Sequence, residues 1–148
     1  MPNHEELIYD WNSVGSSFTP AGPVELDDET LRDGLQSPSV TDPPIAMKIR
    51  ILHAMDALGI DTADVGLPGA GPRAVADVTA LCREIVDAKL RIQANCAART
   101  MIRDVLPIAR ISQQTGLPIE ACLFIGSSAI RQCTEDWPVE TLLRHTEE

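Results

Sequence analysis

Strand-like and helix-like segments alternate along this chain at a nearly constant spacing, and that rhythm restricts the fold more than any other feature. VELDD (Val24–Asp28) is a short strand pattern. TDPP (Thr41–Pro44) sets a polar cap and proline at a helix start; Ile45, Ile49, Leu52 and Met55 follow at helical spacing, and Gly59 ends the run. TADVG (Thr62–Gly66) predicts a second strand, and Gly71-Pro72 opens a second helix with Val75, Val78, Cys82 and Ile85 on one face. RIQAN (Arg91–Asn95) predicts a third strand, followed by a helix from about Thr100 to Thr115 that stops at Gly116. IEACLFI (Ile119–Ile125) predicts the fourth strand, the most apolar, and VETLLRHTEE a fourth helix. After a longer first unit the strands start about 30 residues apart.

Strict βα alternation implies a parallel sheet with crossover helices. A doubly wound sheet and a (β/α)8 barrel both fit. A barrel takes about 250 residues, so four units make the N-terminal half of one. Residues 24–148 form this domain. Residues 1–23 read as a lead-in, with Gly15, Ser16, Ser17, Pro20, Gly22 and Pro23 breaking regular structure and Tyr9 and Trp11 before them. Only 3% of the residues are aromatic, so the core must be aliphatic. A half-barrel of such composition is expected to leave two sheet edges and an apolar inner face open, and so to associate.

Charge and cysteine usage narrow the functional classes. A net charge of -10 repels phosphate backbones, so no nucleic-acid partner is expected. No stretch approaches the roughly 20 apolar residues of a membrane span, and MPNHEELIYDW lacks the basic start and apolar run of a signal peptide. Cys82, Cys96, Cys122 and Cys133 form no C-x-x-C pair. A cytoplasmic protein with reduced thiols, and no membrane partner, is the expectation.

In parallel βα folds, chemistry gathers at the C-terminal ends of the strands. Asp27, Asp28, Arg32, Asp33 and Gln36 follow strand one; Asp64 and GLPGAG follow strand two; Asn95 and Arg99 follow strand three; Gly126, Ser127 and Ser128 follow strand four. Strand phase puts these four polar clusters on one rim. A carboxylate such as Asp33 suits a hard divalent cation. Arg32 carries a permanent charge on a planar fork suited to an enolate or carboxylate oxygen. A surface ion pair would account for Arg32–Asp33 alone, at under about 1 kcal/mol, but not for the glycine and glutamine beside them. GLPGAGP lacks the G-K-[ST] ending and the G-x-G-x-x-G spacing of phosphate loops.

DETLRDGLQSP resembles the D-T-T-L-R-D-G-E-Q-S-P signature of the isopropylmalate synthase and homocitrate synthase family, within the DRE-TIM metallolyases. GIDTADVGLPGAGP resembles that family's G-V-D-x-I-E-A-G-F-P segment, and LFIGSSAI its F-I-A-T-S segment. The resemblance covers about residues 24–131. It implies a TIM barrel that condenses acetyl-CoA with a 2-oxo acid at a divalent metal (Mg, Mn or Zn), in full-length proteins that form homo-oligomers, as dimers. By position it makes Asp33 the metal ligand, Arg32 the group stabilising an enolate or keto oxygen, and Gln36 a support for the metal shell. Asp64, Asn95 and Ser127 become substrate-binding residues.

Several residues depart from the family pattern. Asp64 stands where the family has Glu, Cys122 at a histidine position, Ser127 at the Thr of F-I-A-T-S, and Leu35 where the synthases have Glu. The family's H-x-H metal pair is not among His4, His53 and His145, and His53 falls mid-helix. Three readings therefore stand: a 2-isopropylmalate synthase-like acyltransferase present as an incomplete fragment, a hydroxymethylglutaryl-CoA lyase-like carbon–carbon lyase, and a catalytically inactive half-barrel or interaction module.

Overall fold

The four strands pair side by side in chain order. The computed structural model describes residues 21–147; residues 1–20 of the expected lead-in, with Tyr9 and Trp11, lie outside them. The strands are β1 (Asp27–Asp28), β2 (Thr62–Asp64), β3 (Gln93–Arg99) and β4 (Ile119–Phe124), all parallel, in the order β1-β2-β3-β4. Between them run α1 (Ile45–Leu58), α2 (Pro72–Ala88) and α3 (Ile102–Thr115); α4 (Ala129–Glu135) and α5 (Val139–Glu147) follow β4. Single 3-10 turns occur at Gly34–Gln36 and Pro68–Ala70.

A doubly wound sheet reverses its strand order and carries helices on both faces. Here the order never reverses, and α1, α2 and α3 share one face. Leu52 and Met55 of α1, Val78, Leu81, Cys82 and Ile85 of α2, and Ile108 and Ile111 of α3 pack on Ala63, Val65, Ala94, Cys96 and Ala98 of the sheet. Each large aliphatic side chain buried this way contributes about 1.5–3 kcal/mol. This is the arrangement of the N-terminal part of a (β/α)8 barrel. None of the described helices is long and apolar enough to cross a membrane.

Side chains alternate across a strand, so the register sorts them onto two faces. Asp27 pairs with Thr62, Asp64 with Asn95, and Asn95 with Glu120, followed by Ala97 with Cys122 and Arg99 with Phe124. These are the residues opposite the helices. The uncovered inner face is thus rich in carboxylates and amides, not apolar as expected from composition. The aliphatic residues were drawn to the other face, where three helices offer them burial.

Element boundaries also differ from expectation: β1 holds only Asp27–Asp28 of Val24–Asp28, β2 ends at Asp64, and β3 begins at Gln93. The third strand runs to Arg99 instead of ending at Asn95, because Cys96, Ala97 and Ala98 are small enough to be buried between neighbours on both sides. The helix α4 lies in a stretch where no element is expected from sequence. Its N-terminus carries a recognisable cap, Ser128 Oγ accepting from Arg131 N–H at 3.2 Å, but it buries no residue and so shows no apolar stripe.

Candidate active site

The segment after β1 folds back on itself: Glu29 carbonyl accepts from the Arg32 and Gly34 N–H groups, both at 3.1 Å. That turn sends the Arg32 guanidinium toward β2, where it meets three carboxylates. Nε donates to Asp64 Oδ2 at 2.8 Å, Nη1 to Asp33 Oδ1 at 2.9 Å, and Nη2 to Glu29 Oε2. Burial works against the Arg32 charge, but the hydrogen bond to Asp64 and the charges of Asp64, Glu29 and Asp33 outweigh it, and its pKa is raised. Further N–H donors on Nη1 and Nη2 remain beyond these bonds.

Asp64 is buried, and burial pushes its carboxyl upward against the pull of Arg32 and of the Gly66 and Ala97 N–H groups. Asn95, also buried, donates through Nδ2 to Asp27 Oδ1 at 2.7 Å, and Thr62 Oγ1 donates to the same oxygen. Asp27, Glu29, Arg32, Asp64, Asn95 and Cys122 surround a cavity of about 280 Å³ on the inner face. Burial, then the charges of Glu120 and the nearby carboxylates, raise the Cys122 thiol.

Of the six site residues expected from sequence, the fold brings Arg32, Asp64 and Asn95 to this cavity. Asp33 is tied to Arg32 but 66% exposed at its side chain. Gln36 lines a neighbouring cavity of about 240 Å³, shared with Arg32 and Lys48. Ser127 lies past the end of β4, where its carbonyl accepts from Gln132 Nε2 at 2.8 Å. Asp27, one of the polar residues after strand one, positions Asn95, and its place in the register is the signal that marks it.

One buried cation escaped sequence reading. Lys48 sits among the apolar positions of α1 and is buried because its Nζ reaches Asp42 at 2.7 Å and Asp77 at 2.8 Å. Burial opposes its charge, and those two partners overcome it and raise its pKa. His53, mid-helix in α1, pairs its Nε2 with Glu84 Oε1 of α2 at 2.7 Å.

A divalent metal needs several oxygen donors facing one point. Four carboxylates near one guanidinium make the region anionic, but Asp33, Glu29 and Asp64 all turn to Arg32. Among the described residues no group of three or more His, Cys, Asp or Glu side chains is placed to hold a metal ion. The residues described here therefore do not fit a resident metal by themselves.

Comparison with known proteins gives a consistent picture. A family model described as HMGL-like matches residues 23–110. A 2-isopropylmalate synthase of Xylella fastidiosa is 33% identical over 85 residues, covering 57% of this chain and 16% of that protein. A protein of Buchnera aphidicola, provisionally named a 2-isopropylmalate synthase, is 30% identical over 107 residues, covering 72% of this chain and 26% of that protein. A protein of Methanopyrus kandleri, provisionally named an (R)-citramalate synthase, is 32% identical over 84 residues, covering 57% of this chain and 15% of that protein. The chain thus spans a quarter or less of the length of most of the curated relatives it matches. The segment matched by the family model holds the turn bearing Arg32, the strands bearing Asp64 and Asn95, the helices α1 and α2, and the first part of α3. By sequence and by the strand order that builds this cavity, the chain belongs to the HMGL-like family.

Proposed function

We propose that the chain supplies the first four βα units of a 2-isopropylmalate synthase-type acyltransferase site, in which acetyl-CoA condenses with a 2-oxo acid. The observation that carries this reading is the placement of Arg32. It is fixed by carboxylates from its own turn and from β2, lines the inner-face cavity, and keeps N–H donors free. A guanidinium held in advance of the reaction stabilises a developing enolate or keto oxygen without reorganising. Asp64 holds that orientation, and the Asp27–Asn95 pair offers polar groups to the oxo acid. Gln36 and Ser127 stand beyond the cavity and would act from its margins. The family resemblance makes Asp33 a ligand for a divalent cation, but among the described residues it turns to Arg32, and no step is assigned to a metal.

A second reading, a half-barrel with no activity of its own, is favoured by one observation, the lack of a metal-holding group among the described residues. The two are separated by measuring CoA release from acetyl-CoA with a panel of 2-oxo acids and Mg²⁺, Mn²⁺ or Zn²⁺. The chain is assayed alone and mixed with the C-terminal barrel half of a 2-isopropylmalate synthase bearing H-x-H. No turnover is expected alone, and turnover is expected in the mixture. Acyl-CoA cleavage without condensation would assign the lyase direction, and silence in the mixture would assign the inactive half-barrel.

A further inference from the structure

The sheet has two edges, and they are not alike. At one, β1 is two residues long and both are aspartate; a short, charged edge resists strand addition. At the other, β4 runs six residues, Ile119–Phe124, with Glu120 as its one charge and no proline inside it. Its register with β3 is unbroken, so it carries no bulge. Every residue of β4 after Ile119 is exposed, Leu123 and Phe124 by about half. No strand among the described residues pairs with its outer side. Lysine, proline, bulges and short length are how natural proteins protect an edge, and β4 has none of them.

The direction of the backbone groups limits what this edge can take. The Phe124 carbonyl accepts from Thr100 N–H at 3.3 Å and so points toward β3. Backbone groups alternate in direction along a strand. Those of Glu120 and Cys122 therefore point toward β3 as well, and those of Ala121 and Leu123 point outward. Side chains alternate too: Glu120, Cys122 and Phe124 lie on the inner face, Ala121 and Leu123 on the helix side. On the helix side Leu123 borders a groove of about 220 Å³ together with Val105 and Leu106 of α3. The outer edge of β4 thus offers free backbone donors and acceptors beside apolar side chains.

We infer that β4 pairs antiparallel with β4 of a second copy of this chain, about a twofold axis through Cys122, giving one continuous open sheet. Directly opposed residues of an antiparallel pair face the same side, so the axis passes through a residue and not between two. Charge decides which residue. An axis through Ala121 would set the two Glu120 side chains on diagonal positions about 7–8 Å apart, within the ~8–10 Å Debye length. An axis through Cys122 separates them by about 14 Å along the strand and sets Glu120 beside the partner's Phe124. A chain of net charge -10 favours the second. Ala121 and Leu123 then exchange backbone hydrogen bonds with the partner's Leu123 and Ala121, and each leucine lies against an alanine. The same charge disfavours closing two copies face to face into a barrel. That closure needs the short acidic β1 as a pairing strand, and it turns Asp27, Asp64 and Glu120 of the two copies toward one another. Side by side, those carboxylates all look out from one face. A seam of one strand is smaller than the ~1,200–2,000 Å² of standard interfaces, so the dimer dissociates on dilution. This inference is independent of the acyl-transfer reading.

The test joins sedimentation velocity to cross-linking. Cys122 and the partner's Cys122 would form a non-hydrogen-bonded pair with Cα atoms about 4.5 Å apart, inside the ~4.4–6.8 Å span of a disulfide. A dilution series from micromolar to near-millimolar chain is expected to show monomer and dimer alone. Copper–phenanthroline oxidation of Cys133→Ser should then yield a disulfide-linked dimer. Cys122→Ser, which keeps the other exposed thiol, should yield none and still sediment as a dimer. Leu123→Lys should weaken the dimer by about tenfold, by placing a charge in the seam. Leu58→Lys, at an exposed apolar position on the end of α1, should leave it unchanged. Leu123 is half exposed, so the melting curve of its variant in dilute solution should match the parent; if that variant does not fold, the cross-link decides alone. A chain that is monomeric throughout the series overturns the pairing. A chain monomeric alone that pairs only with the C-terminal barrel half also overturns it, and assigns the edge to that half. So do open-ended oligomers, an equal rate of cross-linking in Cys122→Ser, no cross-link in a dimeric Cys133→Ser, or an equal loss in Leu58→Lys.

Discussion

Gly66 is the position where one methyl group should cost most. Its φ is +146°, a conformation side chains avoid, and a Cβ there would stand 2.7 Å from Val78 Cγ2, about 0.7 Å short of ordinary contact at 3.4 Å. Val78 is buried on α2 and cannot withdraw without moving the helix. Overpacking of this kind costs about 1–3 kcal/mol, and the unfavourable φ adds about 1–2 kcal/mol. Gly66→Ala should therefore lose about 3 kcal/mol, lowering Tm by roughly 10 °C for a domain of this size. The two contributions can be separated. Val78→Ala alone should cost about 2 kcal/mol from lost packing, but it also vacates the space the new methyl needs. The double variant should then be about 1–2 kcal/mol more stable than the sum of the single losses. Urea unfolding followed by circular dichroism measures all four corners of the cycle. Additivity within about 0.5 kcal/mol, or an undamaged Gly66→Ala, would refute the reasoning. The effect reaches the cavity too, because Gly66 N–H donates to Asp64 Oδ1 at 3.1 Å, the residue that holds Arg32.

Other outcomes follow from the same geometry. In the complemented barrel, Arg32→Ala should lower CoA release by about 10²–10³-fold; near-normal rates would remove Arg32 from the site. Lys48→Met should destabilise the chain: fully buried pairs lose about 3–5 kcal/mol when one partner goes, but Asp42 and Asp77 are 37% and 20% exposed, so solvent screening reduces this to about 1–2 kcal/mol in urea melts. Hydrogen bonding to Arg99 lowers the Asp104 pKa, and hydrogen bonding to Lys48 lowers that of Asp42. Their stabilisation is present above the ordinary carboxylate pKa and lost as pH falls through the folded-state values. Asp64 is shifted the other way, so its ionisation weighs against folding as pH rises through its raised pKa. Asp104→Asn should therefore flatten the acid limb of stability against pH, which urea midpoints measured across that range will show. A thiol reagent should label Cys122 and Cys133 in the native chain but spare Cys82 and Cys96, which are fully buried, with the Cys82 thiol pushed up to about 12 by burial.

The elements that were legible in sequence are those whose cause is local. The helix starts at Thr41–Pro44 and Gly71-Pro72 and the stops at Gly59 and Gly116 depend on backbone preference and lie where expected. Arg32, Asp64 and Asn95 could be grouped because strand phase is a local property too. What stayed hidden depends on distant partners. Lys48 is buried because Asp42 and Asp77 meet it from outside its helix. Asp33 looks like a free carboxylate until Arg32 is seen to claim it. The inner face was misjudged because composition counts apolar residues without saying to which face the register sends them.

The turn after β1 is secured at two separate points, Arg32 on Asp64 and Asp42 on Lys48 and Arg73. Between them Pro38, Ser39 and Val40 are exposed. Such a span is free to drift. Each doubling of a flexible loop's length costs only about 0.6 kcal/mol, and neither anchor depends on what lies between them. Lineages carrying this segment could lengthen it into a cover over the cavity, or shorten it to the turn seen here, and Arg32 would keep its aim throughout.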